Sequence, residues 1–239
     1  MLDNINLENV LFLDIETVPA EGRFDDLDDT WKKLWEDKTR FIRERDGLEL
    51  EESYERAGIY AEFGKIVCIS VGYLRQKMGE RQLRLRSFFS KNEAELLHEF
   101  SNLLNTHFSS PYHLLCGHNA KEFDFPFIAR RMLINGLKLP ETLDIAGKKP
   151  WEIKHLDTME LWKFGDYKNY TSLKLLAKVF GIPTPKDDID GSQVASVYYE
   201  EDDLDRIERY CRKDVVALVQ LMLKYKGEQL LDPENIIEV

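Results

Sequence analysis

Residues 10–17 read VLFLDIET, a short apolar run that ends in two carboxylates. Four successive apolar residues bounded by polar ones are typical of a buried β-strand. Because the side chains of an extended chain alternate between its two faces, Asp14 and Glu16 point to the same side. Neighbouring carboxylates repel each other, and an oxygen-preferring divalent cation such as Mg²⁺ or Mn²⁺ is their simplest partner. A solvated strand end offers the same pattern, so the metal interpretation depends on further acids.

Length and composition describe an ordinary globular protein. The 239 residues are 43% hydrophobic and 32% charged, and we expect residues 1–239 to form a single domain. No apolar run approaches the ~20 residues that span a bilayer, and the N-terminus does not resemble a signal peptide, so we expect no membrane segment and a cytoplasmic location. The three cysteines share no C-x-x-C spacing and predict reduced thiols, with Cys68 and Cys116 in buried strands.

The charge is unevenly distributed along the chain. The formal net charge is −11, which argues against a general polyanion-binding surface. Residues 20–62 hold 14 acids and 8 bases, whereas residues 63–185 hold 12 acids and 18 bases. A nucleic-acid partner would therefore meet a local basic surface or bound metal ions.

The pattern along the chain predicts an α/β fold. Residues 20–62 read as one or two amphipathic helices inserted after the first strand, with an acidic run before the first helix. Two strands joined by a hairpin follow, and then strands and helices alternate. The predicted strands cover residues 65–74, 83–89, 112–119 and 154–158. The predicted helices cover residues 92–107, 123–135, 171–180 and 202–226.

Further acids lie at the ends of these elements. Asp124 follows a buried strand and begins a helix, where an acid is also favoured by the helix dipole alone. Tyr210 and Asp214 are four residues apart in the last helix and therefore share a face. Neither residue by itself indicates a site, because partly buried tyrosines and surface aspartates are both common.

Together these segments resemble the DEDD superfamily of 3′→5′ exonucleases. The three motifs are Asp14-Ile15-Glu16, Asn119 through Phe123-Asp124, and Tyr210 with Asp214. The tyrosine in the third motif resembles the tyrosine subgroup, and the Asn-x-x-x-Phe-Asp spacing is similar to the proofreading domains of family B DNA polymerases. The resemblance covers residues 10 to about 225, and no polymerase domain follows, so we expect a stand-alone exonuclease. The acidic insertion at 20–62 departs from the polymerase pattern.

The resemblance implies a ribonuclease H-like fold with a mixed five-stranded sheet, helices on its faces and two divalent metal ions. Asp14 would bridge both ions, Glu16 and Asp214 would complete the water-activating ion, and Asp124 would hold the other. Tyr210 would position the attacking water. The terminal nucleotide would be held by Thr17, Asn119 and Phe123. The expected partner of this monomer is the 3′ end of a single-stranded nucleic acid, with DNA favoured.

Two other functions stay open: an exoribonuclease acting on RNA 3′ ends, and a nucleic-acid-binding module of this fold without turnover. Basic and aromatic residues alternate between residues 148 and 174, which suits either a single-strand groove or a solvated surface. They are Lys148, Lys149, Lys154, Lys163, Lys168 and Lys174 with Trp151, Trp162, Tyr167 and Tyr170. His113, His118 and His155 lack metal-ligand spacing, and Asp157 suits a capping role or a place behind the metal ligands.

Overall fold

The fold is organised around one mixed sheet. The computed structural model describes residues 2–77, 79–166, 170–183 and 189–239. Its strands are β1 (Val10–Pro19), β2 (Gly64–Lys77), β3 (Glu80–Phe89), β4 (Leu114–Gly117), β5 (Leu156–Asp157) and β6 (Ile236–Glu238). The strand order is β5-β4-β1-β2-β3-β6. Strands β1, β2 and β3 are antiparallel, whereas β4 is parallel to β1, β5 to β4 and β6 to β3.

Helices connect and cover these strands. They are α1 (Asp29–Asp46), α2 (Leu50–Ser53), α3 (Glu93–His107), α4 (Asp124–Ile134), α5 (Thr158–Lys163), α6 (Leu173–Val179), α7 (Val194–Ser196) and α8 (Leu204–Tyr225). The predicted α/β class and ribonuclease H-like architecture are confirmed. The prediction of five strands is one short, because β6 adds three residues to the β3 edge. A three-residue strand is too short to leave a periodic pattern in the sequence.

Apolar residues cover both faces of β1, which explains its unbroken hydrophobic run. Leu11 and Leu13 face the core formed with α3 and α4. Val10 and Phe12 face the opposite side, where the apolar stripe of α8 packs. The acids at positions 14 and 16 continue this second alternation, so β1 directs both of them toward α8.

The inserted segment has its own small core. Asp28 caps α1 by accepting a hydrogen bond from the Trp31 N–H at 2.9 Å, as the acidic run predicts. Trp35 is fully buried and donates its Nε1–H to Ser53 Oγ at 2.9 Å. Its ring meets the ring of Phe63 edge to face at 5.0 Å. The helices predicted for residues 20–62 are therefore present, while the assignment of residues 1–239 to one domain stays a prediction.

Two further expectations concern single features. Cys68, Cys116 and Cys211 are all buried and free of disulfide bonds, as predicted for reduced thiols. In the described part of the chain, no helix combines the length and the apolar character needed to cross a membrane.

Candidate active site

Strand β1 supplies the first two acids. Asp14 lies opposite Ser70 on β2 and Glu16 opposite Cys68, and the register shifts between Glu16 and Thr17. Such a bulge ends regular pairing and redirects the chain. Glu16 is 8% exposed, whereas Asp14 keeps more of its surface open. The two carboxylates are therefore more shielded than those of a solvated strand end.

A gap opens where β1 and β4 separate, and we call this gap the cleft. Strand β4 pairs only with Val10 to Phe12, so the next residues of β1 have no strand beside them on that edge. Asp124, at the start of α4, lies in this gap and is 5% exposed. The Ile15 N–H lowers the pKa of its carboxyl group, so this backbone donor faces the third acid. The splayed strands leave room for the acid beside the first two.

The loop between β4 and α4 is tightly fixed. A Cβ on Gly117 would overlap the Ala120 side chain, so the turn requires glycine. Asn119 has a left-handed backbone with φ +63°, a conformation that asparagine tolerates better than most residues. Asp157 accepts the N–H groups of Asn119 at 3.0 Å and Lys121 at 3.1 Å.

Asp157 also caps α5. Its carboxylate accepts the N–H groups of Met159 at 2.9 Å and Glu160 at 3.2 Å. One buried carboxylate thereby links the start of α5 to the loop that leads to Asp124. The capping role expected for Asp157 is present, and the added contact to the loop was not visible in the sequence.

Helix α8 brings the third motif to β1. Between Tyr210 and Asp214, the buried Cys211 donates its thiol to the Asp14 carbonyl oxygen at 3.4 Å. Val215 of α8 packs against Gly72 of β2. A Cβ on Gly72 would lie only 3.0 Å from Val215 Cγ1. This close approach of helix and strand keeps Tyr210 and Asp214, both partly exposed, on the side facing the cleft.

The four carboxylates interact electrostatically. Burial raises the pKa of Asp14 well above its usual range, and the charges of the three other acids raise it further. Burial also raises the pKa of Glu16, followed by the charge of Asp214. Burial raises the pKa of Asp124 to about 7, although its own N–H and that of Ile15 lower it in part. The fold thus concentrates negative charge that protonation or a bound cation would relieve.

The donor set fits hard divalent cations. Ligand atoms of Asp14, Glu16 and Cys211 all lie within 4.8 Å of one another. Burial raises the pKa of the Cys211 thiol well above its usual range, and the thiol already donates to Asp14, so it remains protonated. The carboxylate oxygens are the donors that Mg²⁺ and Mn²⁺ prefer.

The structure brings the predicted acids together, and their catalytic and metal-binding roles stay predictions. Of the predicted substrate-binding residues, Thr17 directly follows the bulge, and Phe123 immediately precedes Asp124. Asn119 lies in the same loop, with its Oδ1 buried and without a hydrogen-bond partner in the described structure. All three lie in or next to the first or second motif along the chain.

His155 and His118 form hydrogen bonds to neighbouring segments of the chain. His155 Nδ1 accepts the Leu115 N–H at 3.1 Å, so Nε2 carries the proton and donates to the Thr142 carbonyl oxygen at 2.7 Å. His118 lies 2.9 Å from Thr158 Oγ1 and 2.8 Å from the Thr171 carbonyl oxygen. Burial lowers the pKa of both rings. His118 thereby ties the segment after residue 170 to the loop that carries Asn119.

Tyr170 is a site neighbour that the motifs do not identify. It is 68% exposed. Partial burial, followed by the charges of Asp124 and Asp157, raises the pKa of its hydroxyl. The only signal in the sequence was its membership of the basic and aromatic segment.

The other aromatic residues of the basic and aromatic segment differ in how exposed they are. Trp151 is exposed, whereas Trp162 is partly buried, packs against Phe180 and stacks on Tyr225. Tyr167 and Lys168 lie outside the described residues.

Comparisons with known proteins agree with the fold. Residues 59–235 match a family described as a predicted 3′-5′ exonuclease related to the exonuclease domain of PolB. The first motif precedes the matched residues, so its place in the site is given by geometry. A search of the curated proteins finds no match.

Solved structures give a second comparison. The family B DNA polymerase from the hyperthermophilic archaeon Pyrobaculum calidifontis aligns over 90% of this chain and 24% of its own, with a TM-score of 0.57 and 15% identity. E. coli exonuclease I in complex with a dT13 oligonucleotide aligns over 91% of this chain and 42% of its own, with a TM-score of 0.42 and 11% identity. This chain thus spans about a quarter of the polymerase and two fifths of the exonuclease, and the likeness to the polymerase shows a shared fold.

Proposed function

The chain belongs to the family of predicted 3′-5′ exonucleases related to the exonuclease domain of PolB, and from this we propose that it is a metal-dependent exonuclease of the DEDD type. It removes nucleoside 5′-monophosphates from the 3′ end of a single strand, and DNA is the favoured substrate. The observation that carries this proposal is the meeting of four carboxylates from three separate elements in one cleft.

Asp14, Glu16, Asp124 and Asp214 would hold two divalent ions. When bound, such ions supply an activated water and neutralise the charge that develops on the leaving oxygen. The chain contributes the placement of these acids. The Ile15 N–H faces Asp124, and the Cys211 thiol holds α8 against the Asp14 carbonyl oxygen. The ligands are therefore fixed before any ion or substrate arrives, which avoids reorganisation during the reaction.

Tyr210 positions the attacking water and the scissile phosphate. A phenol is a poor base at neutral pH, so its useful contribution is a directed hydrogen bond. The ring packs against the apolar cluster around Ile207 and Cys211, which restricts its rotation. A hydroxyl on a restrained ring is a precise donor for a phosphate oxygen or a water.

The terminal nucleotide lies against the loop before α4 and the end of β1. The buried Oδ1 of Asn119 suits a sugar hydroxyl donor, because an unpaired buried acceptor is costly. Phe123 supplies an apolar surface for the base, and Thr17 supplies a hydroxyl beside the bulge. These contacts would bind the 3′-terminal nucleotide whichever base it carries.

Two alternatives are separated by experiment. An exoribonuclease would need a contact to the 2′-hydroxyl, and the orphan acceptor of Asn119 is the best candidate for it. A binding module without turnover is disfavoured by the complete set of acids, since carboxylates without a cation would weaken the affinity for phosphate.

The test uses single strands of DNA and RNA, labelled at either end, with Mg²⁺ or Mn²⁺. We expect mononucleotides to be released first from the 3′ end, while closed single-stranded circles survive. Asp14→Asn should abolish this release, and the exposed Asp144→Asn should retain it. Rapid cutting of circles, or equal release from both ends, would contradict the proposal.

A further inference from the structure

An apolar cavity lies beside β5, and its lining residues do not include the acids of the carboxylate cleft. It has a volume of about 680 Å³. Asp157, which holds the loop of Asn119, forms its wall on the side of the cleft. Trp162, Phe180 and Tyr225 form an inner wall of packed rings. The metal-site residues do not line this space, so it requires an explanation of its own.

Two aromatic rings border the cavity and face solvent. Trp151 is 77% exposed, and Phe164 is 90% exposed. Phe164 ends α5 with φ +43°, a left-handed conformation that a residue with a Cβ adopts at a cost. Packing does not repay this cost, because the ring contacts so little of the protein. Large exposed rings beside an apolar cavity are typical of a binding surface.

The charges around the cavity suit a polyanion. Lys154 and Lys224 line it, and Lys149 Nζ lies 5.3 Å from the centre of the Trp151 ring. Its acids are already engaged: Asp157 accepts four N–H groups, and Glu160 pairs with Lys121 at 2.6 Å. This face is therefore locally basic in a chain whose net charge is −11.

We propose that this cavity binds the nucleotides upstream of the 3′ end, with bases on Trp151 and Phe164 and phosphates at Lys154 and Lys224. The inference rests on the proposed function and extends it, because it assigns a second part of the same substrate to a second surface. Exposed rings stack on bases of any sequence, and lysines follow the backbone. An apolar peptide would use the rings but would not need the lysines, which is why a nucleic-acid strand is the better fit.

Binding tests the inference without turnover. In an Asp14→Asn background with Mg²⁺, fluorescein-labelled dT12 and rU12 are titrated and followed by anisotropy. Trp151→Ala combined with Phe164→Gly should weaken binding about tenfold or more, and Lys154→Ala should reduce the salt dependence. Phe41→Ala and Lys138→Ala, exposed residues of the same types elsewhere, should behave as the parent protein.

Phe164→Gly separates binding from folding. Glycine adopts positive φ freely, so this variant should melt at the same temperature as the parent protein or higher while binding more weakly. A merely structural role for the ring would lower both stability and binding. If Phe164→Gly binds dT12 and rU12 as tightly as Phe41→Ala does, the inference is overturned.

Activity distinguishes the inference from the proposed function. With all carboxylates intact, we expect kcat/KM to be higher for a twelve-nucleotide strand than for a trinucleotide, and the double variant to reduce this ratio about tenfold. A wild-type protein that hydrolyses neither strand contradicts the proposed function, while the binding titrations still decide the inference. Hydrolysis with an unchanged ratio in the double variant contradicts the inference alone, and a peptide would then be the better occupant.

Discussion

Asp124 has a position in which the helix dipole favours an acid but burial disfavours its charge. It begins a helix, is almost fully buried and lies near two further carboxylates. Burying a charge without a partner costs several kcal/mol, so such a cluster persists only where something other than stability requires it. The residues of the cleft therefore predict a strong coupling between metal binding and stability.

The first prediction concerns this coupling. Excess Mg²⁺ or Mn²⁺ should raise the free energy of unfolding by about 2.7 kcal/mol when the free ion is 100 times its dissociation constant. Asp14→Asn removes a ligand and should abolish most of the gain, whereas Asp144→Asn should preserve it. Thermal melts with and without each ion measure the effect. A wild-type melting temperature unaffected by either ion would count against a metal site.

The second prediction separates the roles of Tyr210 and Asp214. Tyr210→Phe removes one hydrogen bond and should lower kcat by up to a few kcal/mol in activation energy, each 1.36 kcal/mol being tenfold. Its Mn²⁺ affinity should stay at the wild-type value. Asp214→Ala removes a ligand and should lower both affinity and rate more strongly. The measurements are kcat and Mn²⁺ binding at constant pH for both variants.

Full activity in either variant would contradict the role proposed for the replaced residue. Full activity in Tyr210→Phe would reduce the tyrosine to a packing role beside Ile207. Full activity in Asp214→Ala would remove the third motif from the site.

At the scale of elements, the site depends on how closely α8 approaches β2. The apolar stripe of α8 and the shared face of Tyr210 and Asp214 follow from helical spacing and could be predicted from the sequence. The contact between Val215 and Gly72 could not be predicted from the sequence, because these residues are far apart along the chain and a glycine has no side chain that would contribute to a hydrophobic pattern. The same holds for Asp157, whose four N–H donors belong to two separate segments.

The third prediction tests this contact. Gly72→Ala places a methyl group against Val215, whose branched side chain has little rotamer freedom in a helix. Overpacking should cost about 1–3 kcal/mol of stability and shift α8, so kcat should fall further than the melting temperature alone suggests. Gly191→Ala is the matched control, because nothing lies within 4 Å of a Cβ there. Wild-type kcat in Gly72→Ala would show that the helix position is not critical.

At the scale of the whole molecule, the sheet order explains why three distant motifs meet. β1 and β4 are parallel neighbours, and their carboxyl ends diverge, which opens a crevice where the acids gather. The mixed sheet and most helices were readable from periodicity. The short edge strands were not: β6 was missed, and β5 retains only two residues of the predicted 154–158. Such strands depend on neighbours supplied by the rest of the fold.

The last prediction concerns the pH dependence of the free energy of unfolding without metal. The pKa of Asp124 is about 7 in the fold, against a usual value of 3.8. Because the folded state binds this proton more tightly, its stabilising contribution is complete below pH 3.8 and is lost as the pH rises through about 7. The change is on the order of 4 kcal/mol, since each pKa unit corresponds to about 1.36 kcal/mol. Added Mn²⁺ should oppose the loss most strongly at pH 8, where Asp124 is ionised.

Comparison with Asp124→Asn measures this contribution together with the effect of the Asp124 charge on Asp14 and Glu16. The variant keeps the shape of the side chain but has no proton to lose, so the difference in unfolding free energy between the two proteins should shift in favour of the variant from pH 5 to pH 8. Urea unfolding in EDTA at several pH values measures it. A difference that stays constant over this range would mean that Asp124 is already ionised at pH 5, and the buried cluster would then need another source of charge compensation in the metal-free protein.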